Sequence, residues 1–233
     1  MANQFDLEEQ EQLDQLKHFW NQWGTAITWV LIVALALYAG WNGYQYWQRS
    51  QAAQASALYG EIERLATLGE PDKLERAFGD MRERFGSTTY AAQGGLLIAR
   101  SLEQAGKTEP AKAALAWVAQ QASDPAYQAI ARLRLAAVAA QAKDYPLARS
   151  QLAGSFPSEF EPLAADRRGD LLALQGKAAE ARAQYEKAYA ALSDRVEYRR
   201  LIEIKLTALG ADPRTQLVAA APAAIAKASE ASQ

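Results

Sequence analysis

A chain of 233 residues with no cysteine, one histidine and a formal net charge of −2 excludes several chemistries before any motif is sought. Without thiols there are no disulfides, cysteine nucleophiles or thiolate-held metals, and His18 alone builds neither a histidine relay nor a histidine metal site in the body of the chain. Nor do 25 bases against 27 acids make a polyelectrolyte surface for nucleic acid.

Residues 1–22 form an acidic N-terminal segment in which Asp6, Glu8, Glu9, Glu11 and Asp14 face Lys17. Between Lys17 and Arg49 there is no Asp, Glu, Lys or Arg, and five of the six tryptophans (Trp20, Trp23, Trp29, Trp41 and Trp47) fall near or inside that gap. The apolar run from Ala26 to Trp41, widened to Trp23 and Tyr44, reaches the ~20 residues that cross a hydrocarbon core. Aromatic rings at both ends suit the two headgroup zones. Residues 23–47 therefore predict a transmembrane helix in contact with lipid. The acidic start is the reverse of the basic region that opens a cleaved signal peptide, so the span is expected to be retained. Lys17 on one side, against Arg49 and Arg64 on the other, leaves its orientation undecided by charge.

From residue 48 to 209 helical periodicity alternates with short breaks, at Gly69-Glu70-Pro71, Phe85-Gly86-Ser87, Gly106-Lys107-Thr108, Ser123-Asp124-Pro125, Ala142-Lys143-Asp144, Gly154 to Pro157, Leu174 to Lys177 and Ser193-Asp194. Asp124 before Pro125, and Ser193 before Asp194, are helix-start chemistry. No stretch alternates like a strand, so the fold class is all-α. Alanine dominates the apolar residues, which favours closely stacked helices over one thick core. The unit from Gly169 to Ala188 resembles a tetratricopeptide repeat: Gly169 and Ala181 stand where its two helices touch, Gly176 turns the chain, and Tyr185 and Ala188 fill the next interface. Leu74, Ala111, Ala148 and Ala181 hold the same place in four copies, 37, 37 and 33 residues apart. Arg132 and Arg168 break the pattern, standing where apolar residues are expected. The segment Glu197 to Leu209 reads as an amphipathic terminal helix that closes the stack. Residues 210–233, rich in Ala, Pro and Ser, read as a disordered tail.

No phosphate-binding glycine loop occurs. Gly94-Gly95 runs into Leu96-Leu97-Ile98 and is read as close helix packing, and Glu159 with Glu161 as a solvated loop between Pro157 and Pro162. The expectation is a protein that is not an enzyme and has no cofactor or metal. Stacked helix pairs expose a concave face built from the first helix of each pair, suited to extended peptides or partner helices. In the repeat frame that face includes Tyr59, Glu63, Gln93, Leu96, Arg100, Glu103, Leu133, Ala137, Asp166 and Asp170.

The order of parts, with Asp6 to Leu13, the span ending at Arg49, the following Gln51 to Ser56 and the closing Ile204-Lys205-Leu206, resembles the YfgM family of bacterial inner-membrane proteins. Membership would imply a cytoplasmic N-terminus and a periplasmic repeat domain beside the SecYEG translocon and the membrane-anchored chaperone PpiD. It would also imply a role in passing newly translocated secreted or envelope polypeptides to folding factors. A membrane-tethered scaffold for a cell-envelope or signalling complex is the alternative that the residues leave open.

Overall fold

The computed structural model describes residues 7–193 and 197–211, with side chains from residue 16 onward. Among the described residues the chain forms nine α-helices and no strand: α1 (Leu7–Leu68), α2 (Pro71–Phe85), α3 (Thr89–Gln104), α4 (Thr108–Gln121), α5 (Pro125–Gln141), α6 (Tyr145–Leu152), α7 (Glu161–Leu174), α8 (Ala178–Ala191) and α9 (Glu197–Ala208). Two compact units divide the chain, residues 1–53 and 54–233.

The first unit is the leading part of α1. Val30, Leu31, Ile32 and Val33 are successive residues, pointing to all sides of the helix, and every one is exposed. A helix that is apolar all round and covered by no protein is matched to hydrocarbon. It is the one helix among the described residues long and apolar enough to cross a bilayer. The hydroxyl of Thr28 donates to the Gly24 carbonyl at 2.8 Å, which satisfies a polar group where water would be missing.

The second unit is a row of helix pairs, in which the end of α1 pairs with α2, α3 with α4, α5 with α6, and α7 with α8, before α9. Each first helix ends in the same turn. The N–H of the residue after the turn donates five positions back, from Glu70 to Leu65, Lys107 to Leu102, Asp144 to Ala139 and Lys177 to Leu172, at 3.3, 2.8, 2.8 and 3.0 Å. This wiring needs a left-handed residue at the bend. Gly69, Gly106 and Gly176 provide it, and at the third copy Lys143 adopts it with φ 62°. A fifth copy ends α9, where Gly210 bends the chain and the Ala211 N–H reaches the Leu206 carbonyl at 2.9 Å. Ala211 is buried, so the ordered domain runs past the expected boundary at 209; residues 212–233 of the expected tail lie outside the described residues. Asp124 caps α5 through Ala126 N–H as expected; Asp194 lies outside the described residues.

Packing follows the repeat frame. Leu74, Ala111, Ala148 and Ala181 are all buried, and the core forms three clusters laid along the stack. Small residues set the approach of the helices: a Cβ on Gly95 would lie 2.4 Å from Val118, and one on Gly169 would lie 2.5 Å from the Tyr185 ring. The two misfit arginines share one task. The helix α6 is only 8 residues long, and two of its last carbonyls, Gln151 and Leu152, accept from Arg132 at 3.0 Å and from Arg168 at 2.9 Å; the same guanidiniums bond the carbonyls of the segment that follows, Arg132 to Ser155 and Arg168 to Gly154, each at 3.1 Å. Both guanidiniums lie over the buried Phe156 ring, at 3.9 and 5.7 Å. Two cations at this end also oppose the negative pole of α6. Glu161, read from sequence as a loop carboxylate, instead opens α7. Burial works against its charge, but Arg168 at 2.9 Å and Lys187 at 3.0 Å hold the carboxyl below its ordinary range.

Candidate functional site

The helices α3, α5 and α7 lie side by side, and two clefts open along them. One, of about 260 Å³, is lined by Ala99, Arg100 and Glu103 of α3, Leu115 of α4, and Arg134, Ala137 and Val138 of α5. The other, of about 470 Å³, is lined by Ala136, Ala137, Ala140 and Gln141 of α5, Leu152 of α6, Arg167, Asp170, Leu171, Ala173 and Leu174 of α7, and Tyr185 of α8. Ala137 belongs to both, so the clefts form one groove divided by α5. Arg100, Arg134 and Arg167 stand 34 and 33 residues apart, one per repeat.

The two clefts differ in charge. In the first, Arg100, Glu103 and Arg134 have no hydrogen-bond or ion-pair partner among the described residues, and all three are exposed. In the second, Arg167 is tied to Asp170 at 2.9 Å and lies 3.9 Å from Asp166. A further group of contacts lies near the N-terminal ends of α3 and α5 and on the last part of α1. Gln93 Nε2 donates to the Tyr127 hydroxyl at 2.8 Å, and the Tyr59 and Tyr90 rings sit 5.9 Å apart. Burial, with the nearby Glu63 carboxylate, pushes the Tyr59 hydroxyl above its ordinary pKa.

Of the ten residues expected on the concave face, Arg100, Glu103, Ala137 and Asp170 line the clefts. Tyr59 and Gln93 are half-buried in the contacts just described, Glu63 is exposed, and Leu133 packs partly buried on the middle core cluster. Two of the ten are buried residues instead of surface ones: Leu96 is in the core at 8% exposure, and Asp166 has no exposed surface at all.

What Asp166 does is internal. Its carboxylate accepts from the Tyr198 hydroxyl at 2.6 Å and from Lys205 Nζ at 2.7 Å. The same ammonium donates to Asp170 at 2.6 Å, and Asp170 also accepts from the Tyr185 hydroxyl at 2.8 Å. Burial, then the adjoining carboxylates, push both tyrosine hydroxyls well above the ordinary phenol range. The network fastens α9 to α7 and α8. Among the lining residues that the sequence reading did not place on this face are Arg134, Gln141, Arg167 and Leu174. Advancing Arg100 by the repeat length would have found both arginines.

Helix pairs joined by one recurrent turn, stacked so that their first helices wall a groove, are the architecture of a tetratricopeptide-like solenoid. The family model described as a tetratricopeptide repeat-like domain matches residues 17–211. Two curated relatives are each named ancillary SecYEG translocon subunit. The one from Neisseria gonorrhoeae is 30% identical over 204 residues, covering 87% of this chain and 98% of that protein. The one from Escherichia coli is 28% identical over 181 residues, covering 76% of this chain and 85% of that protein. The chain belongs to the tetratricopeptide repeat-like family and, within it, to the YfgM family.

Proposed function

We propose that this chain is a non-enzymatic adaptor of the bacterial inner membrane that docks at the SecYEG translocon and, with the chaperone PpiD, assists newly translocated secreted or envelope proteins. Residues 23–47 hold it in the bilayer, with the N-terminus in the cytoplasm and the repeat domain in the periplasm. The observation that carries the reading is the match to 98% of the Neisseria relative, beside a family match that runs from residue 17 to 211 and so includes both the apolar helix and the repeats. The groove supplies the means. A tether at a channel exit keeps a binding face at high effective concentration near an emerging chain, so modest affinity is enough for passive holding.

A photo-crosslinking side chain at the exposed Gln141, in the full-length protein in cells, is expected to trap Sec subunits, PpiD or nascent secretory chains. Protease added to intact spheroplasts is expected to digest the repeat domain. Trapping of cytosolic proteins alone, or protection of the domain until the membrane is broken, overturns the proposal.

A further inference from the structure

We infer that the groove selects extended polypeptide segments in which a carboxylate and an apolar side chain stand about three residues apart. This rests on the adaptor reading and names the ligand it requires. The first cleft carries two exposed guanidiniums without partners, Arg100 and Arg134, against one carboxylate, Glu103, over a floor of Ala99, Leu115 and Val138. A net positive recess with two exposed planar donor groups fits an acidic side chain, because a guanidinium fork pairs both carboxylate oxygens. The repeat leaves these two arginines unpaired while it consumes the third: Arg167 is neutralised by Asp170 at 2.9 Å.

That neutralisation gives the second cleft a different appetite. With its charges spent on each other, what remains is mainly Ala136, Ala140, Leu171 and Leu174, the last 58% exposed at the rim. An apolar side chain is the group that gains by entering it. The two clefts share Ala137, so they lie one helix spacing apart, roughly 8–10 Å, and an extended chain covers that in about three residues.

The test uses the full-length protein in detergent micelles and a dye-labelled peptide of glycine and serine bearing two adjacent aspartates and, three residues on, a leucine. Fluorescence anisotropy at low salt is expected to show binding weakened roughly tenfold when asparagines replace the aspartates, and several-fold when serine replaces the leucine. Arg100→Gln with Arg134→Gln is expected to erase the aspartate preference and keep the leucine preference, and Leu174→Ser to do the reverse. Both changes are on exposed side chains, and unchanged circular dichroism checks the fold. Arg134→Glu is expected to favour a lysine-bearing peptide instead. Equal binding of the aspartate and asparagine peptides by the native protein, or a preference that survives the double substitution, overturns the inference. The adaptor reading fails separately: crosslinks from Gln141 to Sec subunits persist if only the ligand rule is wrong, and vanish with peptide selectivity intact if only the docking is wrong.

Discussion

The two ends of the repeat domain hold the same geometry by different chemistry. Between the end of α1 and α4 the helices meet through large apolar side chains: Ile62, Leu74, Met81, Ile98, Leu102 and Leu115 are all fully buried, and Phe78 meets Trp117 edge to face. Between α7 and α9 the apolar contacts are smaller, led by Ala165, Ala181, Ala188, Ile202 and Leu206, and two aspartates, two tyrosines and a lysine fill the rest. A hydrophobic junction tolerates any partner of suitable volume. An ionic junction built on the fully buried Asp166 is more selective, since a misplaced helix strands that charge away from both water and its partners. The difference teaches where the stack is merely stable and where its end is specified.

The largest effects should come from removing one member at each end. Leu102→Ala leaves a cavity in the apolar half, and a loss of about 3–4 kcal/mol is expected from the urea midpoint of the full-length protein in micelles. That loss should be the same at low and high salt. Lys205→Met takes the ammonium away from both Asp166 and Asp170 and leaves Asp166 with Tyr198 and the more distant Arg167, at an expected cost of about 3 kcal/mol. Because each repeat contacts only its neighbours, the damage should be local: amide exchange should accelerate in α9 while α3 and α4 stay protected. Uniform acceleration through the stack would remove the distinction between the ends.

The pH response separates the two ends further. Tyr185 and Tyr198 have folded pKa values raised above the ~10 of an unfolded tyrosine, by burial first and then by Asp170 and Asp166. Their contribution is therefore complete below about pH 10. Above it the unfolded chain releases protons that the folded chain retains, and stability falls as pH rises. The α7–α9 end should accordingly loosen first on alkaline titration, seen as exchange in α9 together with late tyrosinate absorbance. Tyr185→Phe with Tyr198→Phe should flatten that alkaline limb; an unchanged limb would place its origin elsewhere, with the half-buried Tyr59 as the next candidate.

The same contrast explains what was legible in the sequence. The anchor, the all-α class, the break positions and the four buried repeat positions were readable because each depends on local order: an uncharged run, a period of 3.6, a turn residue, a spacing near 34. The closing network was not. Asp166 meets Tyr198 and Lys205 across 32 and 39 residues, and nothing near Asp166 in the chain distinguishes a buried carboxylate from a solvated one. Arg132 and Arg168 looked like defects for a related reason, since their partners are backbone carbonyls exposed only because α6 stops after two turns. The groove was half legible. Arg100, Glu103 and Ala137 followed from the repeat frame, whereas the burial of Leu96 depends on how far each helix is rotated about its axis.

The smallest expected effect tests the turn that both ends share. Three of the four bends between paired helices use glycine, and the fourth uses Lys143 at φ 62°, yet the Asp144 N–H reaches the Ala139 carbonyl at 2.8 Å, as short as the corresponding bond after Gly106. The turn is thus complete despite a side chain that the left-handed region disfavours, and Lys143 itself is exposed. Lys143→Gly relieves about 1–2 kcal/mol of backbone strain and returns part of it as unfolded-state entropy, for a net gain of about 0.5–1 kcal/mol. Lys143→Ala keeps the Cβ and should gain nothing, while Gly106→Ala, with open space around it but φ 75°, should lose about 1 kcal/mol. If glycine at 143 lowers the unfolding midpoint, the lysine stem makes contacts that outweigh its backbone strain, and the bend after α5 is held by more than its hydrogen bonds.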